Sequence, residues 1–171
     1  MEISQLIAQL HDKTNDDAYL ASDLLAKNGS EEVVNAMIEL LQSTDTETKI
    51  MAARTLGLIK NNAVALDALL ETIDNNPSIA GDLMVFLDGF DLSDKFVPIF
   101  KYSLYGSFKV VSIAEELLDY KEFDITPRVL KKATKAWNHY VNNVKHDEVF
   151  ELKKEEVEGM LEDLRDYLEN E

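Results

Sequence analysis

The chain has 171 residues, 46% of them hydrophobic, and carries 33 acidic against 17 basic side chains, a formal charge of −16. This is enough apolar material for one ordinary domain or a short array of stacked repeats, and too much for a chain disordered by composition. The absence of cysteine excludes disulfides, thiolate metal sites and cysteine nucleophiles, and the acidic balance argues against a nucleic-acid binder that works by neutralising phosphates.

Only three prolines and six glycines interrupt a chain rich in Leu, Ala, Glu, Lys and Asp, so an all-α class is expected. The first residues, M-E-I-S-Q-L-I-A-Q-L-H-D, place an acid at once and break their apolar run with polar residues, unlike a secretory signal. No stretch of eighteen apolar residues occurs, so no membrane span is expected and the economical reading is a cytoplasmic protein.

In chain order, an apolar periodic segment over 3–10 comes first. A second helix follows over 14–26, headed by Thr14. Ser30 heads a helix over 33–41 and Asp45 one over 45–57, while Asn62 introduces 65–73. Asn76, with Pro77 at the first helical position, heads 76–88; Ser93 introduces 96–104, and Ser107 heads 107–119. All these heads are residue types that accept hydrogen bonds from the free N–H groups of a helix start.

The segments starting at Thr14, Asp45, Asn76 and Ser107 align at a step of thirty-one residues without a gap. One column reads Ala21, Ala52, Leu83 and Ala114; the next two read Leu24, Thr55, Phe86, Leu117 and Leu25, Leu56, Leu87, Leu118. Their spacing of three and four makes one buried stripe per helix. Each unit is therefore helix, short turn, helix. A single pair cannot bury its own apolar face, so stacking is required. Repeats are expected at about 1–29, 30–60, 61–91 and 92–122 within a single α-solenoid domain.

The second copy resembles the HEAT repeat, whose second helix opens with Asp and carries a basic residue four positions on, then paired alanines and Leu-Gly. Asp45, Lys49, Ala52, Ala53, Leu56 and Gly57 match that pattern. The other copies depart from it at Ala18 and Ala26, Ala80 and Asp88, and Val111 and Asp119. The resemblance implies a right-handed α-α superhelix whose second helices line a concave surface, used mostly to bind proteins.

Beyond residue 122 the period fades, and 123–171 is expected to form a capping helix pair. Thr126-Pro127 opens a helix to about 145, with Leu130, Ala133, Ala136 or Trp137, Tyr140, Val141 and Val144 as its stripe; a last helix over 148–168 follows. Residues 128–146 hold five bases and no acid, whereas 147–171 hold eleven acids and three bases. Two readings stay open: the acidic helix packs antiparallel on the basic one and the charges cancel, or the basic segment contacts an anionic partner such as nucleic acid. Trp137 and Tyr140, three apart, read as a seal of the last apolar layer.

Nothing in the sequence points to catalysis. His11, His139 and His146 have no His partner at i+4, so no metal site is expected. Adjacent carboxylates such as Asp16-Asp17 or Glu115-Glu116 diverge by about 100° on a helix. No phosphate loop, nucleophile elbow or dinucleotide fingerprint occurs, and no cofactor is expected.

If the 21, 24 and 25 columns face the core, the 19, 23 and 26 columns face away: Tyr19, Asp23 and Ala26; Ile50, Arg54 and Gly57; Gly81, Val85 and Asp88; Ser112, Glu116 and Asp119. Asp16 and Glu47 flank this edge. The strip is small and apolar at its middle and acidic at its ends, which suits a peptide with basic side chains; alternatively Ala26, Gly57 and Gly81 are small because helices cross there. The candidate partner-binding residues are Tyr19, Asp23, Glu47, Arg54, Val85, Asp88, Glu116 and Asp119. The expected function is a non-catalytic interaction module, a monomer or weak oligomer, binding a basic protein or peptide. An acidic inhibitor or immunity-type protein covering a cationic nuclease toxin, and an accessory lyase or chaperone for a chromophore, are the alternatives.

Overall fold

The computed structural model describes residues 1–12 and 14–171, and among them ten α-helices, one 3₁₀ helix and no strand. None of these helices is long and apolar enough to cross a membrane. The chain divides into two compact units, Met1–Asp91 and Leu92–Glu171.

The first unit contains α1 (Ile3–Ala8), α2 (Asp16–Asn28), α3 (Glu31–Leu40), α4 (Thr46–Leu58), α5 (Ala63–Asn75), α6 (Ala80–Met84) and the 3₁₀ helix Val85–Gly89. The first helices of successive hairpins, α3 and α5, pack on each other. The second helices, α2, α4 and α6 with its 3₁₀ extension, form a neighbouring layer. This two-layer stack of hairpins is the solenoid arrangement. Its core joins both layers: Leu25, Met37, Met51, Leu56, Leu69 and Leu83 are among the fully buried side chains.

Several helix starts follow directly from the sequence. Ser30 accepts from the N–H of Val33 at 3.4 Å, and Asp45 accepts from that of Thr48 at 2.8 Å. Elsewhere a local competitor moves the start. The expected cap Thr14 gives both its N–H and its hydroxyl to the Asp12 carboxylate, so Asn15 caps α2 instead by accepting from Asp17. Asn76 closes back on its own helix, donating to the Thr72 carbonyl at 2.7 Å and accepting from Lys49 at 2.6 Å. The helix expected from Asn76 therefore starts only at Ala80, after a turn through Pro77, and tightens into 3₁₀ geometry at Val85. Gly29 ends α2 in the left-handed region at φ 56, where a side chain would be strained.

Asn62 stands at the start of α5 but does not cap it. Its buried amide donates to the carbonyls of Leu56 and Gly89, each at 3.0 Å, tying the last turn of α4 to the 3₁₀ helix.

The second unit contains α7 (Phe96–Leu104), α8 (Phe108–Tyr120), α9 (Pro127–Asn143) and α10 (Glu148–Glu169). Ser107, Thr126 and Asp147 cap the last three through their side-chain oxygens. Ser93, expected as a cap, lies two residues before the actual cap Lys95, and its carbonyl accepts from the Asp124 N–H. Helix α7 packs against α8 and α9, and α9 against α10. Phe96, Phe100, Leu104, Ala133, Trp137, Phe150, Val157 and Leu161 form the core. Trp137 is 3% exposed and stacks on Tyr140 at 5.6 Å and Phe150 at 6.1 Å, the sealing role its spacing suggested.

A candidate partner-binding surface

In α2 and α4 the candidate residues come together around a chain of polar contacts. The positions of Asp23 and Arg54 are thirty-one residues apart, one repeat, so side-by-side packing of α2 and α4 places them opposite each other. Arg54 Nη1 donates to Asp23 Oδ1 at 2.9 Å and to Ser22 Oγ at 2.7 Å, and its guanidinium carbon lies 5.0 Å from the centre of the Tyr19 ring.

Below this exposed pair the polar chain continues into the core. Thr55 Oγ1 lies 2.8 Å from Ser22 Oγ and 2.8 Å from the Met51 carbonyl. The threonine hydroxyl has one proton, and the carbonyl can only accept, so Thr55 donates to Met51 and Ser22 must donate to Thr55. The hydrogen bonds thus run in one direction: Arg54 to Ser22, Ser22 to Thr55, Thr55 to Met51. Ser22 and Thr55 are both fully buried and both fully satisfied.

This arrangement changes the part Arg54 plays. It is one of the candidate partner-binding residues, but its side chain is only 20% exposed and is engaged by Asp23, Ser22 and Tyr19. Asp23 remains 56% exposed, and the pair uses only its Oδ1. Tyr19, on the same helix, is also exposed.

Two expectations are corrected here. Ile50 and Gly81, in the column predicted to face away from the core, are buried. Helix α4 is packed by α2, α3, α6 and the 3₁₀ helix, so its buried arc is wider than that of α2, where the equivalent Tyr19 stays exposed. Leu24, predicted in the buried stripe, is 39% exposed, while its counterpart Thr55 is buried because it faces Ser22 of α2. Ser22 was not singled out. The signal was present: a serine stands in the column that Ala53 and Met84 fill, beside a threonine in a column of Leu and Phe.

The remaining candidates are distributed as follows. Glu47 is half-buried in the first turn of α4, and Val85 and Asp88 are exposed on the 3₁₀ helix. Glu116 and Asp119 belong to the second unit, exposed on α8. Gly57 is small because of close crossing: a Cβ there would lie 2.9 Å from the Phe86 carbonyl oxygen. A groove of about 550 Å³ opens at the C-terminal ends of α2 and α4, lined by Asp23, Lys27, Leu58, Ile59 and Lys60 among others. Asp23 and the negative ends of two helix dipoles favour a cation there, and the two lysines at its edge restrict where that cation can sit. Among the described residues no group of His, Asp and Glu is placed to hold a metal ion.

No curated protein matches the chain. Residues 3–80 match the family model for HEAT repeats, a span that contains α1 to α5 and the whole Tyr19, Asp23 and Arg54 cluster. This match supports a HEAT-repeat family for that part of the chain.

Proposed function

We propose that the first unit is a non-catalytic binding module that takes a basic segment of a partner protein on the surface of α2, α4 and the 3₁₀ helix. HEAT repeats generally mediate protein–protein interaction. The first unit holds 5 bases against 16 acids, a net charge of −11 that would steer a cationic partner toward it. The observation that carries the reading is Asp23. Its carboxylate is held by Arg54 at the rim of the groove, with its second oxygen bonded to none of the described residues, and exposed Tyr19 and Leu58 supply apolar contact nearby. Val85 and Asp88 repeat the same apolar and acidic pairing on the next element.

The test is affinity capture from the source cell with the intact chain and with the variant Asp23→Lys, Asp88→Lys as bait, read by mass spectrometry. At least one basic protein should be retained by the first bait and lost by the second, and its retention should weaken with salt. A set of captured proteins identical for both baits would refute the proposal.

A further inference from the structure

The second unit carries a different surface. Helices α9 and α10 pack antiparallel, as one of the two sequence readings held, but apolar side chains make the contact: Trp137 and Tyr140 meet Phe150, and Val157 and Leu161 complete the layer. Among the described residues Arg128, Lys131, Lys132 and Lys135 are exposed and none forms an ion pair, so no direct salt bridge to the acidic helix holds them.

Their placement is unfavourable for the fold itself. Arg128 lies in the first turn of α9, at the positive end of the helix dipole, and the three lysines follow within the next two turns. Arg128 with Lys132, and Lys131 with Lys135, are like charges at i,i+4 with no acid on the helix to offset them. Arg165 of α10 adds to the pattern. Glu162 and Glu169 stand three residues before it and four after it, at helical pairing distance, yet it forms an ion pair with neither and lines a groove beside Lys131 and Lys135. That groove measures about 660 Å³; Pro127, Leu130 and Leu168 form its apolar part, and Glu169 sets one carboxylate against the three cations.

We propose that this groove, between the N-terminal half of α9 and the C-terminal end of α10, docks a short segment of a partner protein that carries both acidic and apolar side chains. The three cations would meet carboxylates while Leu130 and Leu168 cover apolar groups. Length and field both favour a short peptide over a duplex or a membrane. Residues 127 to 138 span about 16 Å of helix axis, the length of about three helical turns of a ligand. The unit as a whole holds 12 bases against 17 acids, so any extended polyanion would also run over the acidic flank of α10.

The experiment uses the full chain and the variant Lys131→Gln, Lys135→Gln, Arg165→Gln. Binding is measured by fluorescence anisotropy with a labelled synthetic helical peptide of about four turns carrying Glu on one face and Leu on the other. A polyglutamate peptide, a short DNA duplex and phosphatidylserine vesicles serve as competing probes. The amphipathic peptide should bind more tightly than all three, and the variant should bind it at least about tenfold more weakly. The melting temperature of the variant should stay within about 3 °C of the parent, because the cations do not serve the fold. Preference for the duplex or the vesicles, equal binding of polyglutamate, unchanged affinity in the variant, or a larger fall in its melting temperature would each overturn the proposal.

Discussion

Gly89 rests against Gly57 backbone to backbone, so that a Cβ on Gly89 would overlap the Gly57 carbonyl oxygen. The obstacle is main chain, which cannot rotate away as a side chain can. Gly89→Ala should therefore destabilise the first unit by about 1–3 kcal/mol, the range for overpacking a close contact. Gly57→Ala has a helix-propensity gain of at most about 1 kcal/mol on its side. Its Cβ would lie 2.9 Å from the Phe86 carbonyl oxygen, so a smaller net loss is expected. Urea unfolding of both variants, read by circular dichroism, checks the order. A Gly89→Ala variant as stable as the parent would show that α4 and the 3₁₀ helix are not held at this separation.

Asn62 makes a second link at the same crossing, through two hydrogen bonds to Leu56 and Gly89. Asn62→Ala removes both donors from a buried site and should cost about 1–3 kcal/mol. Asn62→Asp should cost more, because a carboxylate would face two carbonyl oxygens with no donor to offer. Denaturant midpoints of the two variants test the ranking; equal losses would mean that the amide donors contribute nothing beyond shape.

The buried hydroxyl pair Ser22 and Thr55 calls for a double-mutant cycle. Thr55→Val leaves the buried Ser22 proton without its acceptor, and Ser22→Ala takes away a partner of both Arg54 and Thr55; each should cost about 1–2 kcal/mol. Removing both hydroxyls together should cost less than the sum, since no donor inside the pair is left orphaned. Additive losses would show that the two hydroxyls act independently.

Asp45 gives a pH dependence of known sign. Its hydrogen bonds from the Thr48 hydroxyl and N–H hold its carboxyl below the ordinary 3.8. The unfolded chain therefore binds the proton more readily than the folded one. The stabilisation is complete above the unfolded pKa of about 3.9 and is lost as pH falls through the lower folded value. Asn caps helices about as well as Asp. Asp45→Asn should thus change the melting temperature little at neutral pH, and the parent should fall relative to the variant below about pH 4. Parallel melting curves at every pH would disprove the assignment.

Much of the architecture could be read from residue spacing, because repeat period and apolar columns are set by geometry that each hairpin shares. Ala21, Ala52, Leu83 and Ala114 are all buried, and Leu25, Leu56 and Leu87 lie beside them in the first unit. What spacing could not supply was the difference between neighbours. Ile50 is buried and Tyr19 exposed at equivalent positions because α4 is packed on more sides than α2. Thr14, Asn76 and Ser93 have the chemistry of caps, but their polar groups or their place in the turn were already committed to other contacts. For the candidate surface, the meeting of Asp23 with Arg54 follows from a one-repeat step. The buried extension through Ser22 and Thr55 depends on side-chain directions that no column reveals.

The Asp23 and Arg54 pair also makes the repeat length itself a physical quantity. An extra residue inside α4 ahead of Arg54 would swing its guanidinium by about 100° around the helix and carry it about 1.5 Å along the axis, away from both Asp23 and Ser22. The same extra residue in the turn between α3 and α4 could be taken up by the loop before Asp45 restarts the helix. Length variation among natural or designed versions of this chain should therefore collect in the turns and spare the segment from Asp45 to Arg54.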